Sequence, residues 1–205
     1  MKIIKPSYKI LTPINRKKIL KLIESAGRVC YKSEDKITDT SAGPFVEKLC
    51  NVNKHHSIIE HAGFSVKFIC DRGISHEIVR HRLAAYSQES TRYCNYTKDK
   101  FNGDIILIHP KGLSKAQRKR REDHYWDVQR LYDLEISEGL SAQIARGLLP
   151  TALKTELIMT CNLREWKHVF SLRTSPSAHP QIVELMTPLF KAVSKKLPEI
   201  FVDNI

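Results

Sequence analysis

The stretch RHRLAAYSQESTRY, from Arg80 to Tyr93, gathers three cationic or potentially cationic side chains, Arg80, His81 and Arg82. A short apolar link follows, then Ser87, Gln88, Glu89, Ser90 and Thr91, closed by Arg92 and Tyr93. Like charges this close repel one another and cost stability unless anions fill the space between them. Guanidinium forks, hydroxyls, an amide and available backbone N–H groups are the donor set that a phosphate ester needs. Each charge-assisted hydrogen bond contributes roughly 1.5–3 kcal/mol, so a few of them outweigh the repulsion. Ser90 reads as a donor and not a nucleophile. Serine attack needs an adjacent base, and Glu89, next in an extended loop, points away.

Other residues could do chemistry with less support from their spacing. HHSIIEH holds His55, His56 and His61 beside Glu60, but no spacing matches a known ligand geometry, so no metal is expected and a buried polar cluster is the reading. RKRRED, residues 118–123, reads as a solvated helix face of alternating charge. Nucleic-acid binding is the competing reading, with no RNP motif, KH loop or zinc finger to support it. Arg146 in QIARGLLP and Arg173 in FSLRTSPSAHP sit beside small and apolar residues, which fits either a buried salt bridge or an anion ligand.

The elements that must position these residues are mostly helices. Helices are expected over 14–26, 43–51, 73–84, 114–138, 141–150, 151–160, 165–172 and 181–197. On the helix from Gly73, His76 and Arg80 would share one face and Glu77 and His81 another. The long charged helix takes its apolar side from Val128, Leu131, Tyr132 and Leu134, and the last helix from Ile182, Leu185, Met186, Leu189 and Val193. HAGFSVKFIC and DIILIHP read as strands. The expected fold is α+β, a single domain over residues 1–205 with a small, mainly antiparallel sheet flanked by several helices.

At 205 residues and 41% hydrophobic content the chain can bury a sizeable core, and its net charge of +12 points to anionic partners. Nucleic acid, a membrane surface and a phosphorylated metabolite all fit that charge. No run approaches the ~20 apolar residues of a membrane span, and MKIIKPSYKILTP lacks the apolar run of a signal peptide. The cysteines, Cys30, Cys50, Cys70, Cys94 and Cys161, are scattered and form no CxxC, which argues for a reducing cytoplasm and against a disulfide framework or a structural zinc.

The Arg80–Tyr93 stretch resembles the signature of the flavin-dependent thymidylate synthases, Arg-His-Arg, seven residues, then Ser, here Arg80, His81, Arg82 and Ser90. Tyr86, Gln88, Arg92 and Tyr93 also look like family positions. GRVCYKS, HHSIIEH, IARGLLP and CNLREWKHVFSLR resemble further family segments, in family order, between residues 28 and 173. The resemblance implies methylation of dUMP at C5 to dTMP, with 5,10-methylenetetrahydrofolate as carbon donor and NADPH reducing a bound FAD. It implies that Ser57, Arg80, His81, Arg82, Gln88, Asn162, Arg164 and His168 hold FAD. It implies that Glu77, Ile78, Val79, Arg80, Gln88, Glu89, Ser90, Thr91, Arg92, Arg146 and Arg173 hold dUMP, with Arg173 as the activating cation. Conventional thymidylate synthases use a cysteine that follows a proline, and none of these cysteines does. The family further implies a cytoplasmic homotetramer with active sites at subunit interfaces, with no nucleic-acid or membrane partner. Two alternatives stand beside this reading: the same scaffold acting on dCMP, and a non-catalytic basic nucleic-acid-binding protein. The chain departs from the family after Arg173, where the usual His position is Ser177 and the run reads SAHPQIVEL, with His179 two places later. That departure implies a reshaped corner on the folate side.

Overall fold

Two nine-residue strands set the frame, and both bury alternate residues: β3 (Gly63–Asp71) and β6 (Lys154–Asn162). In β3, Phe64, Val66, Phe68 and Cys70 are buried, and in β6, Thr155, Leu157, Met159 and Cys161. Side chains alternate across a strand, so each strand buries one face. The computed structural model describes residues 1–98 and 101–202. Its main sheet is antiparallel, in the order β2 (Ser7–Ile10), β3, β6, β4 (Ala85–Gln88). The expected helix over 151–160 is therefore a strand from Lys154 onward. Its alternating Thr, Leu, Met and Cys fit a half-buried sheet face, which outweighs their tolerance of helix. The α+β class stands.

The chain groups into two compact units. The first comprises Met1–Ser7, Phe68–Arg80 and Tyr86–Ile158; the second comprises Tyr8–Lys67, His81–Ala85 and Met159–Ile205. β3 and β6 each run through both.

In the first unit, β1 (Lys2–Ile4) pairs in parallel with β5 (Ile106–Ile108), Lys2 against Ile106 through Ile4 against Ile108. The long helix α4 (Lys115–Ser137) begins with a reciprocal capping box between Ser114 and Gln117. It buries Tyr125, Val128, Gln129 and Tyr132, an i, i+3, i+4, i+7 stripe, against Ile105, Leu107 and Leu153. Leu131 and Leu134, expected on that side, are each 50% exposed. The inward position goes instead to Gln129, whose Oε1 accepts from Ile105 N at 2.7 Å and whose amide donates to Asp133 at 2.9 Å. A buried amide with both ends bonded carries no desolvation penalty to drive it outward. α3 (Arg72–Ile78) is capped by Asp71, which accepts from Ile74 N at 2.8 Å, and it stops well short of Ala84. His76 with Arg80, and Glu77 with His81, thus share no helix face. After α4, the helical turn α5 (Ala142–Ala145) passes into a 3₁₀ turn over Arg146–Leu148, before Pro150.

In the second unit, α1 (Arg16–Val29), α2 (Ala42–Glu47), α6 (Leu163–Arg173) and α7 (Pro180–Lys196) supply the helices. Trp166 stacks on Phe64 with ring centroids 4.7 Å apart, contacts Phe170 at 5.5 Å, and donates its indole N–H to Phe64 O at 3.0 Å. α7 buries the apolar set its periodicity predicted. HHSIIEH is a correction: it forms a 3₁₀ turn over His56–His61 with His55 and His61 exposed, and only His56 is half-buried, its Nε2 3.1 Å from Cys50 O. Ile58 and Ile59 take the inward positions, so the polar residues are left outside.

Candidate functional site

In the first unit, β4 delivers Gln88 and the loop behind it. Gln88 Nε2 donates to Ser75 Oγ at 2.8 Å and to Thr155 Oγ1 at 3.2 Å. Glu89 is fixed on three sides. Its backbone N–H donates to Glu156 O at 2.9 Å, Lys154 Nζ sits 2.8 Å from its carboxylate, and Tyr96 OH donates to it at 2.9 Å. Lys154 also reaches Glu156 at 2.9 Å. The chain then turns: the N–H groups of Tyr93 and Cys94 donate to Ser90 O at 3.2 and 2.9 Å, and Arg92 N–H donates to Ser90 Oγ at 3.3 Å. Thr91 is buried at this turn. Arg92 is exposed, lies 5.3 Å over the Tyr93 ring, and donates to Gln143 Oε1 at 3.1 Å.

Arg80 and Arg146 are exposed, and Glu77 and Val79 are half-buried. Ile78 is fully buried, so only its backbone can meet a ligand, and its carbonyl already accepts from Tyr86 OH at 2.9 Å. Lys154, Tyr96 and Gln143 hold this loop, as does Arg72, which donates to Glu89 O at 3.4 Å, and all four were missed from sequence. Lys154 and Glu156 were discoverable, because in a strand they lie on one face, and the helix assignment there hid that.

In the second unit the signature's His81 is buried and central. Arg173 Nε donates to His81 Nε2 at 3.0 Å, so that nitrogen is the unprotonated one. The ring proton then sits on Nδ1, which faces Glu165 Oε1 at 3.4 Å. Burial, with the nearby Arg173 and His168, pushes His81 down to about 4, so the ring is neutral at physiological pH. Glu165 was missed, since an acid in the first turn of a helix reads as a partner of the helix dipole. His168, exposed, meets His81 edge-on at 5.7 Å. Asn162 Oδ1 caps α6 by accepting from Glu165 N at 2.9 Å. Arg164 pairs with Glu60, and Ser57 and Arg82 are exposed. His179, in the departure after Arg173, caps α7 through Nδ1, which accepts from Gln181 N at 3.3 Å ahead of Pro180.

Of the residues expected on dUMP, all but Arg173 lie in the first unit; of those expected on FAD, all but Arg80 and Gln88 lie in the second. The donor chemistry of each set fits its anion: exposed guanidiniums with the half-buried Ser90 hydroxyl in the first, and Arg82, Asn162 and the imidazole of His168 in the second. A guanidinium held by a neutral ring can stabilise a negative charge that develops beside it. Three of the cysteines are held as thiols: burial raises Cys50 to about 11 and Cys70 to about 12, and raises Cys161 as well. Among the described residues no group of His, Cys, Asp or Glu could hold a metal ion, and no helix is long and apolar enough to cross a membrane.

The chain is similar to known proteins over most of its length. A flavin-dependent thymidylate synthase of Geobacter sulfurreducens is 32% identical over 187 residues, which cover 87% of this chain and 78% of that protein. One from Pyrococcus furiosus is 31% identical over 178 residues, covering 85% and 72%. The crystal structure of thymidylate synthase X from Helicobacter pylori with FAD and dUMP superposes with a TM-score of 0.76 at 21% identity, over 97% of this chain and 98% of that one. A UMP/dUMP methylase, PolB from Streptomyces cacaoi bound with 5-Br dUMP, superposes with a TM-score of 0.82 at 20% identity, over 98% and 95%. The model of the thymidylate synthase complementing proteins matches residues 14–199, and the chain is a member of that family.

Proposed function

We propose that the protein is an FAD-dependent thymidylate synthase, converting dUMP to dTMP with 5,10-methylenetetrahydrofolate as carbon donor and NADPH as reductant. The observation that carries the reading is the Arg80-His81-Arg82…Ser90 signature in a member of this family, with Arg173 seated on the neutral ring of His81. When bound, the flavin supplies the hydride that the methylation consumes. The chain's own residues do the rest. Arg80, Gln88, Glu89, Ser90, Thr91, Arg92 and Arg146 bind and orient dUMP, with the backbone of Glu77–Val79 beside them. Ser57, Arg80, His81, Arg82, Gln88, Asn162, Arg164 and His168 hold the flavin. Arg173 stabilises negative charge on the uracil and raises electron density at C5. No enzymic nucleophile takes part: Ser90 is engaged in its own turn and the buried thiols stay protonated. The enzyme is cytoplasmic, works as a homotetramer and uses the whole of 1–205 as one functional domain.

Purified protein supplemented with FAD and desalted should keep flavin absorption near one per chain and form dTMP from dUMP. A colourless protein that retains no FAD would sink the reading, and would leave the basic nucleic-acid-binding alternative. PolB's likeness makes UMP a necessary competitor beside dCMP in the product assay. Methylation of UMP or dCMP in preference to dUMP would move the substrate while keeping the scaffold.

A further inference from the structure

The basic run at residues 118–123 takes no part in the proposed reaction, yet it borders a cavity of about 560 Å³ in the first unit. That volume falls within the roughly 300–1,000 Å³ of small-molecule sites. One wall is a single face of α4: Gln117, Arg120, Arg121 and His124, at i, i+3, i+4 and i+7. Thr151 faces them from the segment ahead of β6, and Tyr125 and Pro150 add apolar surface.

No carboxylate lines this cavity. Both acids of the run are engaged elsewhere: Asp123 with Lys119 at 2.5 Å, and Glu122 3.5 Å from His109 Nε2. His109 is nine-tenths buried, makes no hydrogen bond through either ring nitrogen, and lies 5.8 Å from the Tyr125 ring. Of the run's charges, Arg120 and Arg121 line the cavity, while Lys119 is paired with Asp123 and neither acid lines it. Arg121 is already braced, donating to Tyr125 OH at 3.4 Å.

We infer that this cavity is a second anion site, separate from the signature loop, and that it takes a phosphorylated small molecule of nucleotide size. Two guanidiniums, an amide and a hydroxyl supply phosphate donors, and the tyrosine and proline supply an apolar wall for a planar body. Its lining holds one tyrosine and no run of aromatics on which successive bases could stack, which favours such a molecule over a nucleic-acid strand.

The test is calorimetric binding to the full-length protein with saturating FAD and dUMP, at physiological salt. The probes are ATP, tripolyphosphate and an oligo-dT strand. ATP should bind more tightly than tripolyphosphate, and both more tightly than oligo-dT. The double change Arg120→Gln/Arg121→Gln should weaken ATP at least about tenfold. The double change Lys111→Gln/Lys115→Gln removes equal charge outside the lining and should leave the affinity unchanged. Circular dichroism confirms that both variants are folded. Equal losses in the two variants, tighter oligo-dT than ATP, or no binding of either phosphate would overturn the inference. Because binding is read directly, it stands or falls apart from dTMP formation.

Discussion

Arg173 Nε rests on an acceptor that carries no charge. A neutral imidazole fixes the guanidinium's direction without cancelling its field, which suits the role proposed for Arg173, stabilising an anion that forms beside it. Arg173→Ala should therefore keep the flavin spectrum and lower dTMP formation by about 10²–10³, the scale of one lost preorganised donor. Arg82→Ala should weaken flavin retention first. Normal turnover in Arg173→Ala would end its assignment. The same contact makes a second prediction. His81 is near pKa 4 when folded and 6.5 when free, so between those values the unfolded chain binds more protons. Stability then falls as the pH drops through that window, and His81 contributes no such loss above about pH 6.5. Thermal unfolding at several pH values should show a shallower acid slope for His81→Asn than for the parent. Identical slopes would mean that the ring is not buried neutral.

At the scale of elements, the ends of β3 and β6 meet under unusual constraint. A Cβ on Gly63 would lie 2.5 Å from Cys161 O and 3.1 Å from Asn162 Cα, both backbone atoms that cannot swing aside. Gly63→Ala should cost about 1–3 kcal/mol, read as a lower melting temperature. Asn162, next along, caps α6 and is proposed to hold the flavin, and substitution separates the two. Asp is as good an N-cap as Asn, so Asn162→Asp should keep α6 stable while removing the amide N–H groups that the proposed flavin contact would use. Asn162→Ala should lose flavin and about 1 kcal/mol of stability as well. Equal flavin retention in Asn162→Asp and the parent would leave Asn162 a cap only. These elements were unequally legible in the sequence. The apolar periodicity of α7 and of β3 announced both, because each buries one face. β6 was misread since Thr, Leu, Met and Cys suit either state, and its period of two emerges only when burial is known. The end of α3 at Ile78 is set by tertiary structure: Tyr86 OH binds the Ile78 carbonyl and β4 takes the chain onward. The signature's residue types were plain, whereas Glu165 and Lys154, which hold them, carried no signal beyond ordinary helix and strand chemistry.

For the whole molecule, the proposed assembly has to account for charge and for bare apolar surface together. Leu83 is 77% exposed and Tyr93 75% exposed, both inside the signature stretch, and Leu131, Leu134 and Ile144 are at least half exposed around α4 and α5. Apolar side chains left in water are unfavourable by roughly 25 cal/mol per Å², and a neighbouring chain could cover them. Association of chains that each carry +12 is opposed by repulsion unless anions sit among the cations. If the sites are shared, FAD binding and assembly are linked, and each must strengthen the other. Light scattering on dilution should give about four chains per particle with FAD, and dissociation at higher protein concentration without it. Leu131→Glu with Leu134→Glu should shift the particle toward monomer, with helix content unchanged by circular dichroism and dTMP formation lost. Assembly indifferent to FAD, or a stable monomer that methylates dUMP, would exclude sites built from more than one chain.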